Sequence, residues 1–278
     1  MQRQTNLGGP LTPGGLSGKC ALVGGGTKGI GRAIAEEFAR QGASVCIVSR
    51  SEAALNETLA ALRSISDAVG STAFHHALIA DYAQPEVVRA RVLQHISEKG
   101  LIDILVNNTG GPPPGPLLEA PREALDAALS SHLLCNHFLM QACVPGMRER
   151  RWGRIINIVS TSVREPLAGL GVSNTTRGAV ASWAKTLANE LGPLGITVNN
   201  VLPGPTETGR LQAIFERKAT EHKSSVEAER AAMAALLPVK RLGKPAEIAY
   251  AVAFFASESA GFITGVSLAV DGGRMASI

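Results

Sequence analysis

A chain of 278 residues, 45% hydrophobic and 18% charged, can bury a sizeable core and sits near the upper end of single-domain size. Its formal charge of +4 is small, and basic residues are scattered among acidic ones instead of forming runs, so there is no nucleic-acid-binding signature. No apolar run approaches the roughly 18 residues that span a bilayer, and Met1 to Ser17 lacks a signal-peptide apolar region, so a soluble, cytoplasmic protein without a membrane partner is expected.

Residues 1–17 are rich in Gly, Pro and polar side chains without periodicity and read as a flexible N-terminal arm, followed by one domain over 18–278. From Lys19 onward, short β-rich apolar runs alternate with helical patterns. They are Cys20–Val23, Ile30–Gln41, Ser44–Val48, Glu52–Ile65, Ile102–Asn107, Ala124–Met147, Arg154–Val159, Val180–Leu191 and Thr197–Leu202. Strands apolar on both faces and alternating with helices predict an α/β, doubly wound parallel sheet covered on each side. The polar stretch at about 206–239 holds the densest charge and is a candidate lid. Four cysteines, Cys20, Cys46, Cys135 and Cys143, lack C-x-x-C spacing, and three lie in strongly apolar stretches, as buried free thiols do.

Between the first strand and first helix lies Gly24-Gly25-Gly26-Thr27-Lys28-Gly29-Ile30-Gly31. Glycines there let the backbone turn sharply and approach a pyrophosphate, which the unpaired N–H groups of a helix N-terminus attract. This loop resembles the T-G-x-x-x-G-x-G element of the short-chain dehydrogenase/reductase family, with Gly24 in place of Thr. Four further matches carry the resemblance across about residues 17 to 274. They are Asp81 after the third strand, Asn107-Asn108-Thr109-Gly110 ending the fourth, Ser160 after Arg154 to Val159, and Pro203-Gly204 with Thr208. The resemblance implies a Rossmann-like sheet of about seven strands and a homotetramer or homodimer. It assigns Asp81 to the adenine ring, Ser160 to the reacting oxygen and Pro203, Gly204 and Thr208 to the nicotinamide end. Among the family's members, those similar to 3-oxoacyl-(acyl-carrier-protein) reductases are nearest, which implies a small-molecule or acyl-thioester substrate.

Charge points to NADP(H). An acid at the end of the second strand would favour NAD, but here the strand ends in Ser49-Arg50. Arg50 and Lys28 can together hold a 2′-phosphate, although both would also be ordinary as solvated surface cations. Cofactor contacts are therefore expected from Gly25, Thr27, Lys28, Gly29, Ile30, Gly31, Ser49, Arg50, Asp81, Asn108, Gly110, Arg177, Pro203, Gly204 and Thr208; no metal is expected.

The resemblance fails at the proton-transfer residues. Where the family has Tyr-x-x-x-Lys, this chain has Ser173-Asn174-Thr175-Thr176-Arg177, and His132 stands at the family's helix Asn, placed by Gln141-Ala142 and Pro145-Gly146-Met147. Arg177 can keep the ribose-holding half of the Lys role, while Ser173 is a far weaker acid than a phenol of pKa about 10. The other tyrosines, Tyr82 and Tyr250, are not expected to face the nicotinamide. His132, with an ordinary pKa of about 6.5, is then the candidate general acid–base beside Ser160, or else a histidine bonded within a helix interface. Pro112 to Pro116 can wall the substrate side or form an ordinary rigid loop, and Arg164-Glu165 can line the cleft or pair with each other. The sequence thus predicts an NADP(H)-dependent carbonyl/alcohol oxidoreductase with atypical proton transfer. A catalytically silent NADP(H)-binding scaffold or sensor, and a non-redox lyase or isomerase, stay open.

Overall fold

The computed structural model describes residues 15–277. Seven parallel strands form one sheet in the order β3-β2-β1-β4-β5-β6-β7. These are β1 (Cys20–Gly24), β2 (Ser44–Ser49), β3 (His76–Ile79), β4 (Ile104–Asn107), β5 (Gly153–Ile158), β6 (Ile196–Pro203) and β7 (Ser267–Val270). The strand order reverses between β1 and β4, so the crevice that binds ligands in open sheets lies above the carboxyl ends of those two strands.

Both faces are covered, which explains why the central strands carry apolar residues on both faces. On one face pack α1 (Gly29–Arg40), α2 (Glu52–Ala68) and α9 (Pro245–Ala256), with Ile34, Phe38, Leu55, Leu62, Val252 and Phe255 buried against the sheet. On the other lie α3 (Pro85–Lys99), α5 (Cys135–Arg150) and α6 (Gly171–Leu191), contributing Val88, Val92, Leu139, Cys143, Ala184 and Leu187. Cys46, Cys135 and Cys143 are buried, Cys20 is partly so, and all four are free thiols.

The long helical pattern over Ala124–Met147 is divided in two. The α4 helix (Arg122–Leu129) joins α5 through a π-helical turn at Ser130–Leu134, a widening of the ladder that frequently marks functional sites. The polar stretch at 206–239 holds two amphipathic helices, α7 (Gly209–His222) and α8 (Val226–Ala235), closed over their own small core of Phe215, Leu237 and Leu242. Of the expected N-terminal arm, residues 1–14 lie outside the described residues. Leu16 is buried, and its N–H donates to Gln41 O. Among the described residues, no helix is long and apolar enough to cross a membrane.

Candidate functional site

A cleft of about 510 Å³ opens above β1, β2 and β4, lined by Gly25, Thr27, Lys28, Ser49, Arg50, Asp81, Tyr82, Thr109 and Gly110 among others. Its floor is the glycine loop. Gly25 and Gly29 have φ of +56° and +52°, in the left-handed region where a Cβ is strained. Gly31 is excluded from carrying a side chain differently, since its Cβ would fall 2.2 Å from Gly25 O and 2.7 Å from Asn108 Nδ2. Asn108 fixes the loop by donating from Nδ2 to Gly24 O at 2.9 Å. Lys28, the N-cap of α1, offers no side-chain bond to the helix, so the first-turn N–H groups of Gly29, Ile30 and Gly31 have no capping side chain. This cradle fits a pyrophosphate by shape and by dipole.

The adenosine side carries the charge expected for a phosphate. Thr27 donates to Ser49 Oγ at 3.1 Å, placing both hydroxyls at the end of β2. Arg50 is 77% exposed, and its Nη1 stands 3.5 Å from Asp81 Oδ2. Asp81 Oδ1 in turn accepts from the Ala83 N–H. With no acid at Ser49 and Lys28 exposed on the same rim, the geometry suits a 2′-phosphate and offers no repelling carboxylate at that strand end.

Tyr82 explains the departure at Gly24. Its ring is buried beneath the loop, and a Cβ at Gly24 would lie 2.2 Å from the phenolic oxygen. The tyrosine and the Asn108 backbone oxygen, 2.6 Å from the same point, together occupy the space that a side chain at position 24 would need. Tyr250, on α9, is 48% exposed and far from this arrangement in the fold.

On the other side of the cleft, Ser160 is partly buried after β5 and accepts the Ser162 N–H at its Oγ. Ser173 and Arg177 lie in the first two turns of α6, Ser173 buried and Arg177 donating from Nη1 to Ile158 O at 2.8 Å. His132 sits in the π-helical turn and is 4% exposed. His132 and Arg177 together line an enclosed cavity of about 10 Å³ with Asn107, Thr109 and Asn136. His132 Nε2 and Asn107 Oδ1 are buried there without partners.

Electrostatics revises the expectation of a histidine that titrates near neutrality. Burial, reinforced by the charges of Arg177 and Arg210, pulls the His132 imidazole down to about 3. It is therefore neutral at physiological pH, a hydrogen-bonding group and not a ready proton donor. Arg177 is pulled down to about 10, first by burial and then by Arg210, and stays charged.

At the carboxyl end of β6, Pro203 closes the strand, and Gly204 lets the turn at Asp271 approach, since its Cβ would meet Asp271 Cα at 2.6 Å. Thr208 caps α7 by accepting the Leu211 N–H, and its Cγ2 lies 3.1 Å from where a Cβ on Gly29 would be. Arg210 follows in the first turn of α7. Its Nη2 donates to Pro112 O, and its guanidinium covers Gly111, so that a side chain there would have to displace it. The proline loop thus touches the lid. Arg164 and Glu165 turn elsewhere: Arg164 donates to Ser267 O, and Glu165 accepts the N–H groups of Ala276 and Ser277. His75 is a core residue, accepting the Val45 N–H and bonded to Ser66 Oγ, and no metal-holding cluster occurs among the described residues.

Sequence reasoning missed two features. One is Arg210, hidden among the lid's mixed charges. The other is a buried amide ladder beneath the site, in which Asn107 donates to Asn157, Asn157 to Asn200, and Asn200 to Ser267 Oγ. These residues are in register on four adjacent strands, and Asn within the otherwise apolar runs of β4, β5 and β6 was the available signal.

Residues 25–274 match the family model described as enoyl-(acyl carrier protein) reductase. An uncharacterized oxidoreductase of Mycobacterium tuberculosis is 36% identical over 259 residues, 93% of this chain and 92% of that protein. A 3-oxoacyl-(acyl-carrier-protein) reductase of Vibrio cholerae is 36% identical over 258 residues, 93% of this chain and 98% of its own. Among solved structures, an L-sorbose reductase of Gluconobacter frateurii complexed with NADPH and L-sorbose superposes with a TM-score of 0.89 at 32% identity, covering 96% of this chain and 100% of that one.

Proposed function

The chain belongs to the short-chain dehydrogenase/reductase family, and from that premise we propose that it is an NADP(H)-dependent oxidoreductase interconverting a carbonyl and an alcohol. The observation that carries the cofactor half is the pairing of an uncapped α1 N-terminus with Ser49, Arg50 and Lys28 at the rim of one cleft. NADPH, when bound, supplies the hydride. Gly25 and Gly29 to Gly31 hold its pyrophosphate, Thr27 and Asn108 keep the loop in shape, Asp81 meets the adenine, and Gly110, Pro203, Gly204, Thr208 and Arg177 border the nicotinamide half.

The proton half is built differently from the family's. Ser160 Oγ–H donates to the substrate oxygen. The fixed charge of Arg177 stabilises the negative charge developing there, a role that asks for position and not for titration. His132 contributes as a neutral hydrogen-bonding partner beside Arg177, and Ser173 leaves room where a phenol would stand. The alkoxide takes its proton from water entering the cleft. The substrate is a small carbonyl compound or a 3-oxoacyl thioester.

A second reading, a catalytically silent NADP(H)-binding scaffold, is favoured by one specific observation, the lack of a group titrating near neutrality among these site residues. Turnover separates the two. NADPH consumption with a carbonyl panel should fall by about 100-fold or more in Ser160→Ala, the loss expected for one oxyanion donor, while NADPH affinity holds. Wild-type and Ser160→Ala protein with equal rates, or product formed without nicotinamide consumption, contradict the proposal.

A further inference from the structure

Arg177, on α6, lines a small cavity with Thr109, and Arg210, on the lid helix α7, covers Gly111 two residues further along the same loop. Neither forms an ion pair among the described residues. Each spends one N–H direction on a backbone carbonyl, Arg177 on Ile158 O and Arg210 on Pro112 O, leaving the rest of each guanidinium unpaired. The nearby acids are engaged elsewhere: Glu207 pairs with Arg230, Asp81 with Arg50, and Glu165 and Asp271 accept backbone N–H groups. Beside Arg177, the buried His132 leaves Nε2 without a partner.

Two uncompensated guanidiniums in a partly desolvated cleft form a site for a negative charge, and Arg in particular forks two bonds to a carboxylate. Arg210, exposed at the lid, rests against Gly111 and donates to Pro112 O, which directs its guanidinium toward the proline loop. Resting on the oxidoreductase reading above, we propose that the substrate is an oxo acid, and its product a hydroxy acid, whose carboxylate is held by Arg210 while its carbonyl oxygen lies toward Ser160 and Arg177. Burial first and the charge of Arg210 second lower Arg177, and an arriving carboxylate offsets the positive charge gathered there. Arg210 is a specificity-determining residue on this account.

The test uses the full chain saturated with NADP⁺, which blocks turnover, and the ligand-free protein in parallel. Pyruvate and acetoacetate are titrated against their methyl esters by calorimetry, and NADPH affinity is measured separately by fluorescence. The carboxylates should bind at least about 10-fold tighter than the esters, from the charge-assisted bonds the esters lack. Arg210→Gln should erase that preference while leaving NADPH affinity within about twofold, and Arg210→Lys should keep part of it. Equal binding of every acid and its ester overturns the proposal. So does a loss of NADPH affinity in Arg210→Gln, because the guanidinium would then serve the cofactor's phosphates. Wild-type protein that binds neither nucleotide yet still prefers the carboxylates would retain the anion site and sink the redox reading alone.

Discussion

Replacing His132 by Asn should make the protein less sensitive to acid. Its imidazole, 4% exposed, lies at about 3 in the folded chain against an ordinary 6.5, and the equally buried His75 lies at about 4, lowered by burial and then by Arg63 and His76. Both folded values are depressed, so below about pH 6.5 the unfolded chain takes up protons that the folded chain refuses. Their stabilisation is whole above that pH and is lost as the pH falls toward the folded values. Between pH 7 and pH 5 each histidine should remove about 2 kcal/mol, so that the pair together remove about 4 kcal/mol. Urea denaturation at the two pH values measures this directly. His132→Asn should show a loss about 2 kcal/mol smaller than wild type, whatever its absolute stability, and His75→Asn a similar relief. An unchanged pH slope in His132→Asn would refute the neutral, buried imidazole on which the mechanism rests.

Two other expectations follow from the site. Because His132 and Arg177 lie at about 3 and about 10, kcat/KM should stay flat to within about twofold between about pH 6 and pH 8, and a limb with an apparent pKa near 7 would point to an acid–base group not described above. Gly24→Ala should destabilise the protein by about 1–3 kcal/mol through overpacking against Tyr82, and adding Tyr82→Val should recover at least about 1 kcal/mol beyond additivity. Strict additivity of the two substitutions in a denaturation cycle would show that the ring does not fill that space.

The sheet was legible because burial on both faces writes an unbroken apolar run, as at residues 21–23 or 45–48, and the helices between strands carry their own period. The glycine loop was legible for a similar reason: a backbone constraint leaves only one residue type. The interruption at Ser130–Leu134 was not, because a π turn inserts one residue into a ladder without changing composition. Helix α6 carries a clear apolar period only from Val180, although it begins at Gly171, since Ser, Asn and Thr have weak helical preference and are held by tertiary packing. At the site, the positions of Ser160, Ser173, Arg177 and His132 were readable from spacing. The state of His132 was not, because its charge depends on burial and on Arg210, a residue 78 positions later in the chain whose approach only the folded lid creates.

The central claim, a cofactor site selective for NADPH, is tested most directly by titrating NADPH and NADH side by side against wild-type and Arg50→Ala protein, following cofactor fluorescence. NADPH should bind at least about 10-fold tighter than NADH, with the difference largely abolished in Arg50→Ala as its charge-assisted bonds to the 2′-phosphate are lost. Equal affinity for the two cofactors, or a preference that survives Arg50→Ala and Lys28→Ala together, would contradict the assignment of that rim, and no binding of either would contradict the oxidoreductase itself.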